Sequence, residues 1–161
     1  MHAEVIQWLS ETVAAHDLNR CEYDVLEVGS LNVNGSARDH FDQVGLYWGI
    51  DIVDGNGVDV VCNAHDMEPF GDDEFDIVVS CNCIEHDDDD EATMAEIGRV
   101  LRPGGHFLLC APAHGFPQHH PPDYRRYDEA DFGRLFLLAG CDLHDVSVDE
   151  SPGVRGYGVR R

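Results

Sequence analysis

Residues 75–111 read FDIVVSCNCIEHDDDDEATMAEIGRVLRPGGHFLLCA and contain two strand patterns with a helix pattern between them. The first six residues are almost continuously apolar, which is typical of a central strand covered on both faces. The acids at 87–90 then start a helix and suit the positive end of its dipole. Its apolar face consists of Met94, Ile97 and Leu101. The Pro-Gly-Gly run at 103–105 ends the helix, and residues 106–111 form the next strand.

Strand and helix patterns alternate on both sides of this unit. Upstream, the spacing of Val5, Trp8 and Leu9 predicts a helix, and Ser36 can cap a short helix. Downstream, Asp128 caps a helix that follows a loop rich in Pro and His. The remaining strand patterns lie at 23–28, 46–53, 58–62, 143–148 and 153–161. This order predicts an α/β fold in a single domain, 1–161, with a doubly wound, mostly parallel sheet and helices on both faces.

The charge balance is strongly acidic. The 161 residues include 32 Asp and Glu against ten Arg and no Lys, for a formal charge of −22. Binding to nucleic acid needs cationic contacts to phosphate, so a nucleic-acid partner is not expected. The negative charge opposes binding to an anionic membrane surface for the same reason. Such a surface suits molar salt, which screens self-repulsion, and we expect a protein of halophilic type.

Nothing in the sequence predicts a membrane segment or a metal site. There is no apolar run of about 20 residues and no secretory signal pattern, so a cytoplasmic protein is expected. The six cysteines lie mostly in strand patterns, where buried thiols behave as small hydrophobic side chains. A metal site at Cys81-x-Cys83 is the weaker alternative, because the spacing matches no common zinc motif.

Ligands of such sheets bind beyond the carboxyl ends of the strands, so the residues after each strand are the candidates. Gly29 would let the backbone approach a ligand closely, although a plain structural turn explains it equally well. Asp51, about 20 residues further on, can accept hydrogen bonds from both hydroxyls of a ribose. Asp66 can accept from the exocyclic amine of an adenine, and Met67 offers an apolar wall to the ring. Residues 81–86 would cover the ligand from the other side.

Five stretches together resemble one enzyme family. They are VLEVGS at 25–30, GID at 49–51, NAHDMEPF at 63–70, FDIVVSCNCIEH at 75–86 and RVLRPGGHFLLCAP at 99–112. The chain from Val25 to about Phe136 is similar to the class I S-adenosylmethionine-dependent methyltransferases, in particular the small type-11-like group. The most specific of the five is the helix–PGG–strand stretch. One departure is that Leu31 stands where the family usually has its second glycine.

The resemblance implies a Rossmann-like fold, S-adenosylmethionine as cofactor and S-adenosylhomocysteine as product. It implies that Gly29 lies against the methionine part and that Glu27 organises its amino end. Asp51 would hold the ribose, and Asp66 with Met67 would bracket the adenine. The full predicted cofactor set is Glu27, Gly29, Ser30, Asp51, Ile52, Asp66, Met67 and Cys81. The lack of G-x-G-x-x-G argues against a nicotinamide dehydrogenase.

The acceptor side is predicted in the loop at 112–127. Its stretch HHPPDYRRY, 119–127, resembles a substrate-side element of some small family members. On that analogy His120 and Tyr124 would face the acceptor, and Arg126 would anchor the loop or a substrate anion. His120 could act as general base, since histidine titrates near neutrality. The Glu85-His86 pair is expected to form a pocket wall.

Three functions stay open at this point. The first is methyl transfer to a small-molecule or protein acceptor, with a small molecule favoured. The second is an inactive S-adenosylmethionine-binding partner subunit, and the third is an α/β enzyme that uses another adenine nucleotide. A homodimer or a complex with a partner subunit is compatible with each of them.

Overall fold

The computed structural model describes residues 2–117, 122–148 and 153–161. Its strands are β1 (Asp24–Val28), β2 (Leu46–Asp51), β3 (Val60–Val61), β4 (Phe75–Cys81), β5 (Leu101–Pro112), β6 (Cys141–Val148) and β7 (Gly153–Arg160). They form one seven-stranded sheet in the order β3-β2-β1-β4-β5-β7-β6. The strands β1 to β5 run parallel, and β7 is antiparallel to both β5 and β6. The predicted doubly wound, mostly parallel sheet is confirmed.

Helices cover both faces of the sheet. They are α1 (Ala3–Ala15), α2 (Asp90–Val100) and α3 (Glu129–Leu138), with short 3₁₀ helices at Ala37–His40 and Ile84–His86. Because side chains alternate along a strand, Ile77 of β4 packs in the cluster with α1, whereas its neighbour Val78 packs with α2 and α3. Within the described ranges, no helix is long and apolar enough to cross a membrane.

The boundary between α2 and β5 differs from the prediction. Leu101 was expected on the helix face, but α2 ends at Val100, and Leu101 is the first residue of β5, opposite Phe75. Pro103 disfavours helical geometry at the residue before it, so the chain leaves the helix early. The register shifts between Phe75 and Ile77, where the Pro-Gly-Gly run interrupts the regular pairing. Gly104 there has φ +78°, which glycine adopts easily.

The strand order reverses between β1 and β4. From this point the chain builds the sheet outward in one direction through β2 and β3, and in the other through β5. A crevice forms at the carboxyl ends of strands on either side of such a reversal, because their connections lead to opposite faces. The fold therefore places the residues after β1 and β4 on either side of one crevice, with the end of β2 at the neighbouring edge of the sheet.

Candidate active site

Glu27 organises the loop that follows β1. Its side chain is buried and accepts hydrogen bonds from Tyr47 Oη at 2.8 Å and from the Ala37 N–H at 3.2 Å. Ser36 Oγ donates to the same carboxylate at 3.3 Å. Burial raises the pKa of Glu27, and the hydrogen bonds oppose that shift. Glu27 thus fastens the far end of the 29–36 loop to the strand.

The start of this loop is held against β2 and β4. The N–H groups of Gly29 and Ser30 both donate to the Ile50 carbonyl at 2.9 Å. Gly29 has φ +80°, and a Cβ at this position would overlap the side chain of Cys83. Cys83 therefore packs directly against Gly29, in the space that a side chain at position 29 would occupy. Ser30 is buried against Gly49.

Asp51 ends β2 with its carboxylate at the same edge of the sheet. One oxygen accepts from the Leu31 N–H and the other from the Val53 N–H, each at 3.2 Å. Every carboxylate oxygen has a second lone pair, so Asp51 can still accept from hydroxyl groups. Ile52 follows it and is 70% exposed. Leu31 packs against Gly55, beyond Asp51 in the same turn.

The two predicted residues in the segment after β3 differ in their exposure to solvent. Asp66 is exposed, whereas Met67 is fully buried in the core, and its N–H donates to Glu96 Oε2 at 2.7 Å. Asn63 is also exposed and directly follows Cys62, whose N–H bonds the Asp51 carbonyl at 2.9 Å.

β4 ends at Cys81, which lies opposite Cys110 of β5. The Cys110 side chain and burial raise the pKa of the Cys81 thiol, so it is neutral near pH 7. Cys81 and Cys83 have different neighbours, since Cys83 contacts Gly29. This arrangement does not favour the Cys81-x-Cys83 metal site.

A cavity of about 550 Å³ opens at the carboxyl ends of β1, β4 and β5. One side consists of Glu27 of β1 and of Gly29, Ser30 and Leu31 in the loop that follows. The opposite side comes from Cys81, Asn82, Glu85, His86, Asp123 and Arg126, and the first residues of α1 and β7 complete it. Asp51, Ile52, Asp66 and Met67 belong to the neighbouring edge of the sheet and are outside the described lining of the cavity.

The predicted acceptor loop is only partly described. His120 lies outside the described residues, together with His119. Tyr124 is 54% exposed, and its N–H donates to the Glu85 carbonyl at 2.8 Å. Arg126 binds Asp123 Oδ2 at 2.8 Å and the carbonyls of Phe116 and Pro117 at 2.9 and 3.0 Å. Arg126 therefore anchors the loop.

The chain was compared with known proteins. The profile of the type 11 methyltransferase domain family matches residues 26–109. A 1,6-didemethyltoxoflavin-N1-methyltransferase of Burkholderia thailandensis, solved with S-adenosylhomocysteine, superposes with TM-score 0.75 at 20% identity, covering 94% of this chain and 76% of that one. YcgJ of Bacillus subtilis gives TM-score 0.76 at 16% identity, covering 96% and 99%.

A protein solved in complex with the Haloferax volcanii Trm112 methyltransferase activator is also similar. It has TM-score 0.72 and 20% identity, with coverage of 97% of this chain and 91% of that one. The fold and the family match define an S-adenosylmethionine-dependent methyltransferase with a Rossmann-like fold. More narrowly, the chain belongs to the type 11 methyltransferase domain family.

The residues present fit S-adenosylmethionine. Asp51 retains lone pairs for ribose hydroxyls, and the cavity beside Gly29 has room for the rest of the molecule. Two cavity-lining residues also carry buried oxygen atoms without a hydrogen-bond partner among the described residues, Ser30 Oγ and Glu85 Oε2. Buried polar atoms without partners are rare in folded proteins, and they often mark functional sites.

Proposed function

We propose that this domain, residues 1–161, transfers a methyl group from S-adenosylmethionine to a small-molecule acceptor. The observation that carries the proposal is the cavity of about 550 Å³, which the loop after β1 and the end of β4 enclose together. Small-molecule sites are typically clefts of roughly 300–1,000 Å³. A cleft of this size at the topological switch point suits a small acceptor better than an extended macromolecule.

Each predicted residue has a proposed task. Glu27, Gly29, Ser30 and Cys81 would surround the methionine part, because all four line the cavity. Asp51 would bind the ribose, with Ile52 against it. Asp66 and Met67 stay our prediction for the adenine end. His120 and Tyr124 stay predictions for the acceptor side.

The bound cofactor supplies an electrophilic methyl group on a sulfonium. Methyl transfer is a direct displacement, so holding the acceptor in line supplies much of the rate. The hydrogen bonds from Tyr127 Oη to the Ile84 carbonyl, 2.9 Å, and from the Tyr124 N–H to the Glu85 carbonyl, 2.8 Å, fasten the segment before α3 to the segment after β4, and these two segments form one side of the cavity. Such fastening keeps the acceptor side in position.

The test is a thermal melt in molar KCl with and without S-adenosylhomocysteine. A ligand that binds only the folded state, at 100 times its dissociation constant, adds about 2.7 kcal/mol of stability. For a domain of this size that raises Tm by about 5–10 °C. NAD and ATP at equal concentration are the controls. A shift with ATP or NAD alone would support the other adenine-nucleotide enzyme and overturn the proposal.

A second candidate function is that of an S-adenosylmethionine-binding subunit that works with a partner. The β2–β3 edge of the sheet exposes Leu46 (56%), Trp48 (37%) and Val61 (56%). One structural neighbour was solved with the Haloferax volcanii Trm112 activator. Light scattering in molar KCl, with the chain alone and with Haloferax volcanii Trm112, separates monomer, homodimer and complex. A Trp48→Glu variant that forms the same complex would exclude this edge.

We also propose that the protein acts in the cytoplasm. All six cysteines are free, including the exposed Cys21. Free thiols persist in reducing compartments, whereas secreted proteins usually pair them.

A further inference from the structure

Glu85 is the buried carboxyl group in the cavity wall that the proposed function leaves without a task. It lies in the 3₁₀ helix Ile84–His86 directly after β4. Its side chain is only 5% exposed, and Oε2 has no hydrogen-bond partner within the described ranges. Oε1 lies 3.8 Å from Nε2 of His86, too far for a direct hydrogen bond. A buried carboxylate with so few donors is destabilising by itself, which points to a role in binding.

Acidic groups dominate the described lining of the cavity. The charged residues there are Glu4, Glu27, Glu85, Asp123, Arg126 and Arg155. Both guanidinium groups are engaged: Arg126 binds Asp123 at 2.8 Å, and Arg155 donates to the Glu4 carbonyl at 3.0 Å. Four acidic residues against two arginines leave the lining with a net negative formal charge, and such a cleft attracts ligands of the opposite sign. The cavity therefore favours a cation.

Resting on the proposed methyl transfer, we propose that Glu85 binds the protonated amino group of a small-molecule acceptor and takes its proton before attack. The acceptor nitrogen then carries a free lone pair, which forms the new N–C bond to the methyl carbon. The S–C bond breaks, and its electron pair stays on sulfur. The proton on Glu85 leaves to solvent, which restores the carboxylate.

The environment of Glu85 suits both steps. Burial raises its pKa to about 7; a hydrogen bond from its own backbone N–H opposes this shift, as do the charges of His86 and Arg126, whereas Asp123 adds to it. The nearby titratable groups on its own segment and on the segment before α3 are His86, Cys81, Cys83, Asp123, Arg126 and Tyr127. A carboxyl group that titrates near neutrality can bind a cation and then accept its proton.

The experiment compares the affinity of two ligands by calorimetry in molar KCl at about pH 8.5. Sinefungin carries a primary ammonium group where S-adenosylmethionine carries its methyl group, and S-adenosylhomocysteine has no cation there. We expect the Glu85→Gln variant to bind sinefungin about tenfold or more weakly than the wild type, because a charge-assisted contact is lost. S-adenosylhomocysteine should change by less than about twofold, since it makes no such contact. The matched control is Glu129→Gln, an exposed glutamate at the start of α3 that lies outside the cavity lining.

A pH series on the wild type gives a second measurement, independent of whether Glu85→Gln folds. As the pH is lowered from about 8.5 to about 5.5, Glu85 becomes protonated and loses its charge. The ratio of the affinities for sinefungin and S-adenosylhomocysteine should therefore fall over this range. Equal weakening of both ligands in Glu85→Gln, or a preference that does not depend on pH, would overturn the inference. If the wild type binds neither ligand, the proposed function itself fails.

Discussion

At the scale of single residues, Asp51 is the side chain whose position predicts its role most directly. Its carboxylate is tied to Leu31 and Val53 and still has free lone pairs. We expect Asp51→Asn to weaken S-adenosylhomocysteine binding by about tenfold or more, because hydrogen bonds to a charged group are worth about 1.5–3 kcal/mol. Calorimetry measures it, and Asp54→Asn, in the following turn, is the control. Equal affinity of wild type and Asp51→Asn would remove Asp51 from the ribose site.

Gly49 tests how closely the loops after β1 and β2 approach each other. A Cβ at Gly49 would overlap the Gly57 carbonyl oxygen and lie 2.6 Å from Ser30 Oγ. Gly49→Ala should therefore lower the free energy of unfolding by about 1–3 kcal/mol, as overpacking does. Gly133→Ala is the matched control, because that glycine lies within α3 with open space around it. The Gly133→Ala variant should have a free energy of unfolding about 0.5–1 kcal/mol higher than the wild type. Urea denaturation measures both, and a neutral Gly49→Ala would contradict the observed packing.

At the scale of elements, a histidine cluster joins the residue directly after α1 to β5, β6 and β7. His106 Nδ1 lies 2.9 Å from Tyr157 Oη, and the rings of His16 and His144 also contact Tyr157. Burial, followed by the proximity of His16, lowers the pKa of His106. Below about pH 6.5 the unfolded chain binds a proton that the folded state excludes, so stability falls as pH falls.

We expect His106→Gln to lessen this loss of stability. The free-energy difference between His106→Gln and wild type should be constant above about pH 7 and should move in favour of the variant below about pH 6.5. Denaturant titrations at several pH values measure it. His114→Gln, an exposed histidine outside the cluster, is the control. If the difference in free energy of unfolding between His106→Gln and wild type is the same at every pH, His106 has the same pKa in the folded and unfolded states.

At the scale of the whole molecule, the formal charge of −22 determines how stability depends on salt. The screening length falls from about 10 Å at 0.1 M salt to about 3 Å at 1 M, which reduces repulsion among surface carboxylates. We expect Tm to rise steadily between 0.1 M and 2 M KCl. Sucrose at matched osmolality is the control, since it stabilises without screening. A Tm that does not respond to KCl would contradict the halophilic prediction.

The sequence by itself determined the order of elements, the parallel sheet and the family. Apolar runs such as 75–80 and the Pro-Gly-Gly break depend on local chemistry, which short stretches of chain express directly. The positions of Gly29 and Asp51 at strand ends were also predictable, because the strand patterns end there; their binding roles stay predictions. The exact end of α2 was not, since the pairing of Leu101 with Phe75 is a contact between distant residues.

Only the tertiary structure decided which side chains share the cavity. Glu85 reads in sequence as half of a Glu-His pair, and its burial beside Asp123 and Arg126 results from packing the β4 end against the segment before α3. The sequence likewise does not show that Met67 is fully buried in the core whereas its neighbour Asp66 is exposed. Burial and electrostatic environment depend on neighbours far away in the chain, which no local pattern encodes.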